Sequence, residues 1–349
     1  MRITRLATFA AIATVAALAL TGCVAGEGTA TKPTATATKS AALGEGGWSA
    51  TALNIDYATY NPLSLIVKKE GYLESAFGGA VTVNWVKSAG SAAANAALLA
   101  GAIDVGSTAG SAALLARSNH SPIKTIDIYA QPDWAAIVVP KTSTITSVKD
   151  LAGKTVAAQK GTDPYFFLLQ SLNKFKVPLS SVTIVNLPHA NGKAALENGS
   201  VDAWSGLDPL LTTSVLTAGS KNIYDNPSFN SYGFLNATES FLQKSPDVAQ
   251  AVVDAYEKAR AYAIAHPEDV AIILAAEAGI PINVAQASLK RTDLTISPIP
   301  GAEQTKVLKI IGPIFVESGD VPAQSQVDSA LSSLLEPKYA KAADPTAIK

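Results

Sequence analysis

The sequence predicts an α/β protein of about two domains. Its 349 residues are 48% hydrophobic and only 16% charged, which supplies enough apolar surface for a substantial core. From Trp48 to Trp204 short β-rich runs alternate with helical runs. Beyond Leu235 the pattern becomes almost entirely helical.

Leu53-Asn54-Ile55 reads as the first strand, and Leu63 to Glu70 as a helix. Val81 to Trp85 alternates with period two, which predicts a strand, and Ser91 to Ala100 is the next helix. Ile103 to Val105 is a strand, Ser111 to Arg117 a helix and Ile123 to Tyr129 a strand, completing a first unit. After Gln131-Pro132 a second unit has strands at Ala136 to Val139, Thr155 to Ala158, Val182 to Val185 and Val201 to Trp204. Helices from Tyr165 to Phe175 and from Gly192 to Asn198 lie between them. Beyond a strand from Tyr232 to Leu235, Val248, Val252, Ala255, Tyr256, Ala259 and Ala263 recur at helical spacing, an apolar stripe on a helix ending near His266. Pro267 opens another helix through Ala278 and Gly279 closes it. Further helices span Asn283 to Lys290, Ala302 to Val316 and Val327 to Leu335.

Lys plus Arg number 27 and Asp plus Glu 28, and no block of like charge occurs, which argues against a nucleic-acid partner. One cysteine cannot close an intrachain disulfide, and His120, His189 and His266 stand apart. No metal and no cofactor is expected from that inventory.

That cysteine ends what reads as an export signal. Arg2 and Arg5 form a basic start, Leu6 to Leu20 is apolar and uncharged, and Leu20-Thr21-Gly22-Cys23 follows. The last four residues resemble a bacterial lipobox, which implies cleavage after residue 22 and acylation of Cys23. Residues 23–47, small and polar with Pro and Gly, then read as a flexible tether.

Three stretches, in this order and spacing, carry a wider resemblance. They are Leu99-Ala100-Gly101-Ala102-Ile103-Asp104-Val105-Gly106; Val139-Pro140-Lys141 with Val148 to Ala157; and Gly199-Ser200-Val201-Asp202-Ala203-Trp204 with Asp208-Pro209. The chain resembles the substrate-binding lipoproteins of ABC importers for nitrate, taurine and aliphatic sulfonates. The resemblance implies a two-lobed periplasmic-binding-protein-like fold of type II, with two hinge crossovers and C-terminal helices. Residues 48–131 with 235–349 would form one lobe and 132–234 the other. It implies a small-molecule anion in the cleft, permease subunits as partners, and a monomer held by its lipid anchor at the outer face of the cell membrane.

An anion in such a cleft favours strand ends next to helix N-termini. Gly106 to Ser111 and Lys160 to Pro164 fit as strand-to-helix turns, and the resemblance maps the cleft onto them. Ser107, Thr108, Gly161 and Thr162 are therefore expected ligand contacts, although each hydroxyl could instead cap a helix. Tyr57, Trp134 and Trp204 are aromatic candidates for covering the ligand's apolar part, with Gln131 at the first crossover. For Trp204 the resemblance implies a place on the second-lobe wall. The following Ser205-Gly206-Leu207 lacks the family's second aromatic, which implies a wider wall and a bulkier ligand tail. Gly106-x-Thr108-x-Gly110 outlines a nucleophile elbow but has no His with a suitable acid partner. His189, after Leu187-Pro188, reads as a rim residue rather than a base. Two alternatives stay open: a binder of a heteroaromatic, thiamine-precursor-like pyrimidine between Tyr57, Trp134 and Trp204, and an enzyme on the same fold.

Overall fold

The structure, a computed structural model, describes residues 47–349; the expected signal sequence, Cys23 and the tether up to residue 46 lie outside the described residues. The first stretch runs β1 (Ala52–Tyr57), α1 (Pro62–Glu70), α2 (Tyr72–Phe77), β2 (Thr82–Lys87), α3 (Ser91–Leu99), β3 (Val105–Ala109), α4 (Gly110–Ser118) and β4 (Ile123–Pro132). After residues 133–134 come β5 (Ala135–Val139), β6 (Thr155–Ala158), α5 (Asp163–Lys174), β7 (Thr183–Asn186), α6 (His189–Glu197), β8 (Ala203–Leu207), α7 (Leu210–Thr213) and β9 (Lys221–Asp225). Residues 226–232 lead back to β10 (Gly233–Thr238) and α8 (Glu239–Lys244). The remainder is α9 (Pro246–Ala265), α10 (Pro267–Ala278), α11 (Ile282–Leu289), the short β11 (Thr292–Asp293), α12 (Ala302–Glu317), α13 (Gln324–Leu334) and α14 (Lys338–Lys341).

Local chemistry explains many of these boundaries. Asn61 accepts from the Ser64 amide at the start of α1, Pro62 occupies its first turn, and Gly71 ends it at φ 64°. The expected limits of α10 are met, with Pro267 at one end and Gly279 at φ 64° at the other. All six residues of the apolar stripe on α9 are buried.

The strands form two sheets, ordered β11-β4-β10-β3-β1-β2 and β7-β6-β8-β5-β9. Each is built alike. In the first, β1 pairs parallel with β2 and β3 through helical crossovers, and β10 inserts antiparallel between β3 and β4. In the second, β6 pairs parallel with β7 and β8, and β5 inserts antiparallel between β8 and β9. The inserted strand always arrives from the other sheet. Two crossovers follow necessarily, and Asn230 ties them together: its side chain accepts from the Ala135 amide (2.9 Å) and donates to Asp133 (3.0 Å).

The close fit extends to glycine. A Cβ on Gly233, the first residue of β10, would lie 2.3 Å from the buried Tyr129 ring, so the return from the second sheet passes Tyr129 only because position 233 has no side chain.

One expected turn is absent. Gly106 to Gly110 is not a loop: β3 runs through Ala109 and α4 begins at Gly110. The cause is long-range, since β10 pairs along the whole of β3 (Gly233 opposite Ala109 through Ala237 opposite Val105) and holds it extended. Among the described residues no single helix is long and apolar enough to cross a membrane.

Candidate functional site

The two sheets face one another through helix N-termini. From the first sheet come the starts of α3 and α4, joined where Ser91 Oγ accepts from the Ala109 amide (2.9 Å). From the second come the starts of α5 and α6, joined where Gln159 Oε1 accepts from the His189 amide (3.2 Å). A helix start carries unpaired N–H groups and a partial positive charge, so the junction attracts negative charge.

The protein places one negative charge there itself. Asp163, at the first turn of α5, is 1% exposed. It accepts from Ser111 Oγ (2.5 Å), the Ser231 amide (2.8 Å) and hydroxyl (2.7 Å), and Trp134 Nε1 (2.8 Å). One carboxylate thus joins α4, α5 and both crossovers. Burial pushes its pKa up, and the donors from Ser111, Ser231 and Trp134 oppose that shift.

Beside it, where α3 and α6 meet, neither N-cap residue, Gly90 or Pro188, supplies a side-chain acceptor. A Cβ on Gly90, the residue before α3, would lie 3.0 Å from His189 Cδ2 and 3.8 Å from Gln159 Oε1. His189 is 2% exposed, and neither ring nitrogen has a hydrogen-bond partner. Burial pushes its pKa down to about 4, so the ring is neutral at pH 7.

Behind the junction lies a second buried acid. Asp56, on β1, accepts from the Ser107 amide (2.8 Å) and hydroxyl (3.1 Å). Burial pushes it up to about 7, against the lowering effect of Ser88 and Ser107. Tyr60, whose hydroxyl donates to the Ser107 carbonyl (2.8 Å), meets Trp134 edge to face at 6.1 Å.

A sequence model of the family described as NMT1/THI5-like matches residues 65–270, more than half the chain. The chain belongs to the NMT1/THI5-like family. A candidate aliphatic sulfonates-binding protein of Escherichia coli (strain K12) is 27% identical over 279 residues, 79% of this chain and 87% of that one. The solved periplasmic aliphatic sulphonate binding protein SsuA of Escherichia coli superposes with a TM-score of 0.72 at 25% identity, over 82% of this chain and 93% of that one. The alkanesulfonate-binding protein SsuA of Xanthomonas axonopodis pv. citri, bound to MOPS, superposes with a TM-score of 0.72 at 23% identity, over 80% of this chain and 98% of that one. The fold is therefore that of the periplasmic binding proteins.

This NMT1/THI5-like chain distributes the sequence-derived candidates unevenly. Ser107 and Thr108 are adjacent strand residues and face opposite sides of the sheet. The Ser107 hydroxyl is bonded to Asp56, and that of Thr108 donates to the Ala109 carbonyl and accepts from Asn236. Thr162 donates to the Gln159 carbonyl (2.6 Å), and Gly161 takes φ 74° beside Leu115. These groups shape the wall, and their hydroxyls are engaged within the protein. Trp134 reaches the junction but its indole N–H is held by Asp163. Tyr57 stacks edge to face on Trp85 at 6.3 Å beneath Lys68. Gln131 is exposed at the end of β4, opposite Asp293.

Trp204 is fully buried and packs with Leu196 and Leu211. Its indole fills the spaces beside Gly192 and Gly206, where a Cβ would lie 2.7 Å and 2.9 Å from it. The room expected from the small residues after Trp204 is taken by Trp204 itself. His189, expected at a rim, is interior. Arg291 is occupied at the crossovers, bridging Asp208 (3.0 Å), Asp225 (2.9 Å) and Asp133 (3.4 Å). Sequence reading missed Asp56, Gly90, Gln159 and Asp163; the one legible signal was Asp163-Pro164, an acid and a proline opening a helix.

Proposed function

We propose that this chain is the extracytoplasmic solute-binding component of an ABC importer, capturing an aliphatic sulfonate between its two sheets and delivering it to a permease. The observation that carries this reading is the α3–α6 junction, where helix starts from opposite sheets converge with the imidazole of His189 and the Gln159 amide. A sulfonate head has oxygens to accept from such donors and needs no cation. The sulfonate-binding relatives support the ligand class. Residues 48–131 with 235–349 would move against 132–234 about the two crossovers, as a ligand favours the closed form by its differential affinity. An aromatic sandwich for a pyrimidine finds less support, with Trp204 in the core and Trp134 bonded to Asp163. The relatives compared above are named as binding proteins, which supports a binder rather than an enzyme.

The test is calorimetric titration with ethanesulfonate, octanesulfonate, nitrate and an aminopyrimidine. Both sulfonates should bind and the pyrimidine should not; tight pyrimidine binding with no sulfonate binding sinks the reading. Gly90→Ala should weaken sulfonate binding by more than tenfold, because the added methyl meets the His189 ring where the two halves touch, and should also cost about 1–3 kcal/mol of stability, because Gly90 takes φ 153°, which a side chain strains. Wild-type affinity in that variant would place the ligand elsewhere.

The membrane anchor belongs to the same proposal. Cys23→Ser should move the protein from the membrane to the soluble fraction, since Cys23 is the sole thiol. Retention of that variant on the membrane would remove the lipid anchor from the account.

A further inference from the structure

At the junction, internal bonding leaves both ring nitrogens of His189 free. Buried polar groups are almost always paired, yet both of its ring nitrogens lack a partner at 2% exposure. The ring stands at the first residue of α6, and its Cδ2–Nε2 edge is turned to Gly90, where a Cβ would lie 3.0 and 3.2 Å away. An unpartnered imidazole therefore faces the start of α3 across the line where the two sheets meet.

The charges around it are accounted for. Helix α3 carries none. On α6 itself Lys193 pairs with Glu197 at 2.9 Å. On the turn before α5, Lys160 lies over the Tyr165 ring at 6.0 Å and Asp163 is bonded to Ser111, Ser231 and Trp134. From β1, Asp56 is bonded to Ser107. Desolvation alone lowers the ring's pKa, with no charged neighbour contributing.

A neutral imidazole offers one N–H and one lone pair. The lone pair repels an oxyanion, whereas a proton on that nitrogen makes it a second donor. Resting on the sulfonate reading above, we propose that His189 binds the ligand's anionic head and takes up a proton from solvent as it does so. No bond of the ligand changes; the only transfer is one proton from water or buffer to the ring. The linkage has a definite sign. The anion raises the ring's pKa in the complex, so affinity climbs as pH falls from that raised value toward about 4 and levels off below it.

The experiment is calorimetric titration of ethanesulfonate into the purified protein at pH 6, in buffers of differing ionisation enthalpy that contain no sulfonate group, alongside NMR of the three histidines. Wild type should take up a fraction of a proton per ligand and bind about tenfold more tightly at pH 5 than at pH 7. The His189 ring signals should move toward imidazolium on binding. His189→Gln should lose the uptake and the pH dependence, while Asp56→Asn keeps both. Uptake that survives in His189→Gln and disappears in Asp56→Asn assigns the proton to Asp56 and overturns the inference. Ethanesulfonate binding with an unmoved His189 signal also overturns it, and leaves the transport reading intact. Failure of wild type to bind ethanesulfonate or octanesulfonate overturns both.

Discussion

Asp163→Ala is expected to lower the unfolding free energy by about 4 kcal/mol and to abolish ligand binding. The carboxylate accepts four hydrogen bonds in a buried site: from Ser111 on α4, from the amide and hydroxyl of Ser231 on the second crossover, and from Trp134 on the first. Alanine leaves the Ser231 amide and the Trp134 indole N–H buried without an acceptor, at about 1–3 kcal/mol each, and removes the hydroxyl bonds as well. The carboxylate also occupies the positive end of α5, which an alanine methyl does not complement. Asp163→Asn keeps the volume but turns an N–H group toward donors, so it should recover little. Equilibrium urea unfolding measures the effect. A loss below 1 kcal/mol in the alanine variant would mean that the crossovers hold the two halves in place without this hub.

The second large effect is one of pH. Asp56 is fully buried with its pKa pushed up to about 7 from an ordinary value of 3.8, chiefly by burial. Its folded value lies above its unfolded one, so between pH 4 and 7 the native state binds more protons than the unfolded chain and stability falls as pH rises. Each unit is worth about 1.4 kcal/mol, so from pH 5 to 8 Asp56 removes about 3 kcal/mol. Asp56→Asn should remove that slope. Its side-chain oxygen still accepts from the Ser107 amide, and the variant should gain on wild type as pH rises, reaching about 3 kcal/mol by pH 8. Urea midpoints at pH 5 and pH 8 decide it: an equal stability difference between variant and wild type at both values would show that Asp56 is ionised throughout. Asp163 shifts in the same direction, but it is common to both proteins and drops out of the comparison.

The same two residues show how the fold was legible while much of the candidate site was not. Helix α9 announces itself by apolar spacing, and α10 by a proline at one end and a glycine at the other. Strand β2 shows its period of two. These signals are local, because the periodicity of an element and its capping chemistry are contained in neighbouring residues. The α/β class followed from them, whereas the two-lobed arrangement came from resemblance. The paired crossovers need β5 and β10 each to be inserted into the sheet the chain has left, and no local pattern encodes that.

Placement of the site depended on such long-range pairing. Gly106 to Gly110 has the composition of a turn, but Gly106 to Ala109 became strand because β10 supplied partners along it. Its Ser and Thr hydroxyls then found acceptors inside the protein, and Asp163 took the position between α4 and α5 that the sequence suggested for a ligand anion. Arg291 was drawn to three aspartates from distant parts of the chain. By itself the sequence determined those helices and strands whose periodicity and caps are local, because these signals act over a few residues. Only the tertiary structure decided which polar groups are consumed by the protein and which, like the imidazole of His189, face the junction unpaired, because hydrogen-bond satisfaction is settled by neighbours that lie tens of residues away in the chain.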